Sequence, residues 1–317
     1  MEMKYVNNIQ KLMKPKRKID VVLDTDTFNE IDDQYALAYL INSQDKLNLK
    51  AVYAAPFYNY KVCSAEEGMQ KSYEEIFKVL KLMNREELNG IVFKGSKEML
   101  KDIHTPVISD ASKHLVELAK LYSEDNPLYV VCISTLTDIA SAIIQEPSII
   151  DKIVLVWLGG HAHDWCNDES FNLFYEGCPN EEFNLMQDTL AAKVVFDSGI
   201  AMVQLPCMGV VSAFTTTGPE LEYWLRGKNK LCDYLIDVTK NEAKVDGMEK
   251  TWSRAIWDVT AVAWLLDGNF MYDKYVPCPV IHSDGSYSFE ENRHLIKYVY
   301  YIHRDTLFAD LFKKLSM

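Results

Sequence analysis

Short, mostly apolar runs alternate with longer helical stretches along the first two thirds of the chain, and this alternation limits the fold more than any other feature. Residues 19–23, 49–55, 91–93, 128–133, 153–157 and 201–205 are brief and rich in Val, Ile and Leu. Such runs are expected as strands covered on both faces. Between them, residues 31–41, 66–83, 111–121, 137–145 and 190–198 carry apolar side chains at helical spacing. Strand–helix alternation of this kind predicts an α/β fold, a mostly parallel central sheet flanked by helices in a Rossmann-like arrangement. With no internal repeat and no Pro/Gly/Ser-rich linker, one domain over residues 19–317 is expected, preceded by a basic N-terminal extension, 1–18. Ligands of open parallel sheets bind beyond the carboxyl ends of the strands. Functional residues are therefore expected just after Leu23, Ala55, Ile133 and Trp157.

The first of these strand ends is strongly acidic. It reads Asp24-Thr25-Asp26-Thr27-Phe28-Asn29-Glu30-Ile31-Asp32-Asp33, five carboxylates in ten residues. One or two acids would serve a helix N-terminus. Five would repel one another unless a cation neutralised them. The donors are all oxygens, which suits a hard cation such as Ca²⁺ or Mg²⁺. An EF-hand loop is excluded, because Phe28 and Asn29 stand where that loop needs a ligand and a Gly. A haloacid-dehalogenase-type phosphatase also begins with Asp-x-Asp after a strand and would use Asp24 as nucleophile; Phe28 and the lack of a later Lys with an acidic pair disfavour it.

Charge narrows the partners. The net formal charge is −13, which argues against nucleic-acid binding, since phosphate recognition runs on Lys and Arg. No run of about 18 apolar residues occurs, so no membrane span is expected. The first 20 residues lack the apolar stretch of a secretory signal. Seven widely spaced cysteines without a CxxC pair fit a reducing, cytoplasmic setting.

Four stretches in order resemble the inosine-uridine-preferring nucleoside hydrolases. Residues 24–33 resemble that family's DxDxxxDD signature, and Ser134-Thr135-Leu136-Thr137-Asp138-Ile139-Ala140 its LTNIA turn. Glu181-Glu182-Phe183-Asn184 resembles its EFN motif, and Trp257-Asp258-Val259-Thr260-Ala261-Val262-Ala263 its HDPxAVA segment. The resemblance implies Ca²⁺ held by Asp26, Asp33, the main-chain carbonyl of Thr137 and Asp258, with Asp26 as general base on a water that attacks the sugar's anomeric carbon. It implies sugar contacts from Asp32, Glu182 and Asn184, and more loosely from Asn59. The implied reaction is hydrolysis of a ribonucleoside to ribose and free base, a salvage reaction, in a homodimer or homotetramer. A nucleoside-binding protein without efficient turnover is the alternative.

The sequence also departs from the family pattern. Thr27-Phe28-Asn29-Glu30 replaces a Pro-Gly pair and lengthens the loop by two residues. Trp257 stands where many members have His; it can stack on a base but cannot donate a proton to it at neutral pH. His161, just after Gly159-Gly160, is expected to touch the ligand. Residues 241–253 are polar and suit a lid. Free nucleosides are uncharged, whereas nucleotides would be repelled by an acidic cleft.

Overall fold

The computed structural model describes residues 9–165, 182–245, 252–266 and 269–317. Eight strands form one sheet: β1 (Ile19–Thr25), β2 (Leu47–Ala54), β3 (Val92–Lys94), β4 (Leu128–Cys132), β5 (Ile153–Leu158), β6 (Ala201–Leu205), β9 (Met271–Pro277) and β12 (Leu295–Ile302). Their order is β3-β2-β1-β4-β5-β6-β12-β9. Every neighbouring pair is parallel except β12–β9. The short pairs β7 (Thr215–Thr217) with β8 (Ser253–Ala255), and β10 (Val280–Ile281) with β11 (Tyr287–Ser288), stand outside it.

Alternate residues of each strand feed two different cores, as the two-residue period of a strand requires. Val21, Leu23, Val131, Val156 and Val203 pack on one face with α1 (Asp33–Ile41), α2 (Ala65–Leu82), α8 (Lys230–Val245), α9 (Val259–Trp264) and α10 (Arg304–Leu315). Val22, Val130, Leu155, Trp157 and Met202 pack on the other with α3 (Asp110–Ala119), α4 (Thr137–Gln145) and α6 (Thr189–Asp197). α7 (Gly218–Leu225) joins the first face through Leu221 and Leu225, and α5 (Phe183–Gln187) the second through Leu185. The predicted three-layer α/β fold is therefore the observed one. No described helix is long and apolar enough to cross a membrane.

The strand order reverses between β1 and β4, because β2 and β3 continue to one side and β5 and β6 to the other. The crevice at such a reversal is where open α/β sheets bind ligands. Here the backbone pairing runs past the strand ends: Ile133 N–H donates to the Asp24 carbonyl at 2.9 Å, and Ala55 N–H to that of Thr25 at 2.9 Å. The acidic segment thus leaves the sheet from a fixed backbone.

Part of the basic N-terminal stretch is packed rather than solvated. Leu12 is fully buried, and Lys11, also buried, donates to the Asp151 carbonyl at 2.8 Å. Residues 1–8 lie outside the described residues, as do 246–251 of the expected lid and Glu181 of the third motif.

Candidate active site

A cleft of about 230 Å³ opens at the switch point. Asp26, Asn29, Glu30, Asp32 and Asp33 line it from the loop after β1, and Ile133 from the end of β4. Leu158 follows from β5, with Glu182, Phe183 and Asn184 at the start of α5. Cys207 and Met208 follow β6, and Trp257 and Asp258 precede α9.

The acids meet across the fold. Asp32, Asp33 and Asp258 each offer a carboxylate oxygen, and these oxygens lie within 4.8 Å of one another. Asp258 N–H donates to Asp32 Oδ2 at 3.1 Å across 226 residues of chain. Thr25 Oγ1 donates to Asp33 Oδ1. Neither Asp32 nor Asp258 caps the helix it precedes with its side chain, so helix capping does not account for these acids. Both stand at helix N-termini, whose backbone dipoles favour negative charge.

Burial sets their electrostatics. Desolvation pushes Asp26 well above the usual carboxylate range, and the neighbouring Asp33, Glu30 and Asp32 push the same way. Desolvation likewise raises Asp258, with Asp32 and Asp33 adding to it. Asp33 is pushed up to about 7 by burial, against hydrogen bonds from Thr25 and Asp258 that lower it. Asp26 Oδ2 is buried with no hydrogen-bond partner among the described residues. Uncompensated buried carboxylates cost several kcal/mol each. A hard cation ligated by them relieves that cost, and the all-oxygen donor set fits one.

Glu182 is held by the backbone. Its carboxylate accepts from Gly160 N–H at 2.5 Å, Leu185 N–H at 2.8 Å and Asn184 N–H at 3.1 Å. It thereby caps α5 and ties that helix to the turn after β5. Asn184 Nδ2 donates to the Leu158 carbonyl at 3.1 Å. The Cys207 thiol is raised by burial and by Glu182 beside it, which keeps it a neutral thiol rather than a nucleophile.

Asp26, Asp32, Asp33, Glu182, Asn184, Trp257 and Asp258 therefore all line the cleft where the sequence places them, and three expected residues do not. Thr137 opens α4 with its hydroxyl on Asp188 Oδ2 at 2.8 Å; the cleft-lining residue at that strand end is Ile133. His161 is buried outside the lining, stacked on Tyr287 at 4.0 Å with its ring nitrogens 3.1 Å from the carbonyls of Ala162 and Gly285. Asn59 stands behind Asn29, which it holds at 2.8 Å. Asp24 is fully buried away from the lining, accepting from Ser134 and Cys132, which removes it as a phosphatase nucleophile. Sequence reasoning missed Asn29, Cys207 and Met208. The strand-end rule, applied after Leu205 as well, points to the last two.

A sequence model of the inosine-uridine preferring nucleoside hydrolases matches residues 21–299. A pyrimidine-specific ribonucleoside hydrolase of Escherichia coli O1:K1 / APEC is 30% identical over 118 residues, 37% of this chain and 32% of that protein. A putative enzyme of the same description from Shigella boydii is 30% identical over 118 residues, 42% of its length. The matched segment thus spans well under half of these curated relatives. Among solved structures, a plant nucleoside hydrolase superposes with a TM-score of 0.73 at 18% identity, covering 94% of this chain and 99% of that one. A purine-preferring ribonucleoside hydrolase from Gardnerella vaginalis superposes with a TM-score of 0.72 at 18% identity, covering 94% and 98%.

Proposed function

Since the chain belongs to the inosine-uridine preferring nucleoside hydrolase family, we propose that it hydrolyses the N-glycosidic bond of a ribonucleoside, with Ca²⁺ as cofactor. The observation that carries this reading is the crowding of Asp26, Asp32, Asp33 and Asp258 in one cleft, all of them buried and none paired with a cationic side chain among the described residues. Asp26, Asp33 and Asp258 would hold the cation, with the main chain at Ile133 as the strand-end donor in place of Thr137. When bound, Ca²⁺ supplies charge neutralisation and Lewis-acid polarisation.

Asp26 takes the proton of the attacking water. Its Oδ2 has no hydrogen-bond partner among the described residues, and burial raises its proton affinity toward that of a working base. Asp32 and Asn184 bind sugar oxygens, while Glu182, already filled by backbone donors, frames that end of the cleft. Trp257 offers a flat face to the leaving base. The oxocarbenium character of the transition state is favoured by the surrounding carboxylates. A homo-oligomer working in the cytoplasm belongs to the same reading.

The test is release of free base from inosine, uridine and cytidine, with Ca²⁺ and with chelator. Turnover should require the cation, and Asp26→Ala should lower it on the order of a thousandfold. Tight ribose or nucleoside binding with background turnover would replace this reading by a binding protein. Cation-independent turnover would remove the metal from it.

A further inference from the structure

The cleft is rich in hydrogen-bond acceptors and poor in donors. Six carboxylates line it: Asp26, Glu30, Asp32, Asp33, Glu182 and Asp258. Sugar hydroxyls can donate to these, but each hydroxyl oxygen keeps lone pairs that need a donor in return. The side-chain amides of the described lining are Asn29 and Asn184. Asn184 Nδ2 gives one of its two hydrogens to the Leu158 carbonyl and keeps one for the sugar.

Asn29 lies in the lengthened loop and is 7% exposed. A chain of hydrogen bonds fixes which way its amide points. Lys61 N–H, which can only donate, donates to Asn59 Oδ1 at 2.8 Å. Asn59 therefore presents its Nδ2, and this donates to Asn29 Oδ1 at 2.8 Å. Asn29 Nδ2 is left as the side chain's free polar group, with no partner among the described residues. The backbone is pinned as well: Asn29 N–H donates to the Asp26 carbonyl at 2.7 Å, and Lys61 Nζ donates to the Asn29 carbonyl at 2.7 Å. Lys61 is itself held by Glu242 of α8 at 2.9 Å, with both side chains under one-fifth exposed.

We propose that Asn29 is a substrate-binding residue whose amide N–H₂ donates to a ring hydroxyl of the sugar, and that Asn59 and Lys61 are positioning residues that fix its direction. This rests on the nucleoside hydrolase reading and deepens it. The longer loop moves the donor from the segment after β2, where the family resemblance places it, into the acidic loop itself. A free donor facing a hydroxyl makes Asn29 a discriminator between ribosides and deoxyribosides, because a site built to bond a hydroxyl rejects the analogue lacking it.

The experiment compares kcat/KM for uridine, 2′-deoxyuridine and 3′-deoxyuridine in the Ca²⁺-loaded protein, alongside ribose affinity by calorimetry. The variants are Asn29→Asp, which turns the donor into an acceptor, and Asn59→Asp, which keeps the bond from Lys61 N–H but offers Asn29 an acceptor and so turns its amide over. In both, the preference for uridine over one deoxy analogue should fall about tenfold or more, with Ca²⁺ affinity and melting temperature held. Lys61→Met should raise KM more than it lowers kcat, and Lys61→Arg should restore it. An unchanged preference in folded, Ca²⁺-binding Asn29→Asp and Asn59→Asp overturns the proposal while leaving the hydrolase reading intact. If the wild type releases no base, the hydrolase reading fails; the ribose affinities then decide, a tenfold weakening in both variants supporting Asn29 as the donor and equal affinities overturning it.

Discussion

Glu182 shows how one side chain can stand in a binding cleft and still serve mainly the fold. Its two oxygens receive three backbone N–H groups, from the turn after β5 and from the first turn of α5. Glu182→Gln puts an N–H₂ where one of these donors expects an acceptor. A buried donor left unsatisfied costs about 1–3 kcal/mol, so the urea midpoint should drop accordingly. A loss below about 0.5 kcal/mol would assign Glu182 to ligand contact alone. The acids at 26, 32 and 33 were legible in the sequence because crowding of like charge at a strand end has few structural uses, and Asp258 through the resemblance of residues 257–263 to a family motif. The direction of an amide was not legible. Asn59 and Asn29 are 30 residues apart, and which of them faces the cleft depends on a loop whose extra length the sequence shows but whose path it does not.

At the scale of elements, the turn after β5 joins the sheet to the cleft. Gly160 adopts φ +71°, and a Cβ there would stand 2.0 Å from Tyr287 Oη. Gly199 adopts φ +80° with open space around it. Gly160→Ala should therefore cost the backbone term of about 1 kcal/mol plus displacement of a half-buried tyrosine, while Gly199→Ala should cost the backbone term alone. Denaturation of the two variants side by side reads the difference, and equal losses would show that Tyr287 yields freely. Gly160→Ala should also weaken substrate binding, since the Gly160 N–H holds Glu182. The central strands were readable because burial on both faces leaves unbroken apolar runs. β9 and β12 were not: Tyr272, Tyr275, Tyr300 and Tyr301 are exposed along them, and an edge strand and its neighbour that mix charged, aromatic and aliphatic residues carry no clean period.

For the whole molecule, the buried acids make stability depend on pH and cation together. Asp33 is raised to about 7, above its unfolded value near 3.8, so between these pH values the folded state holds more protons than the unfolded one. Stability from this group is present at low pH and is lost as pH rises through about 7. The half-buried histidines His163 and His294, lowered to about 4 by burial, still gain protons on unfolding at pH 6.5 and oppose this trend there, while Asp26, Asp32 and Asp258, all raised by burial, act with Asp33. With chelator present, the melting temperature should fall from pH 6.5 to 8, and added Ca²⁺ should raise it more at pH 8 than at 6.5. A melting temperature flat across that range in chelator would contradict the assigned burial of charge.

The bond from Asp258 to Asp32 spans 226 residues of chain, which has a consequence for the order of events in folding. Contacts between distant parts of a sequence form after loop closure has been accomplished elsewhere. The cation's seat is thus missing from early folding species and complete only once α9 has docked against α1. Interactions absent from the transition state act on the rate of unfolding and leave the rate of folding nearly unchanged. A cation held there would work as a latch on the finished molecule and not as a seed for it.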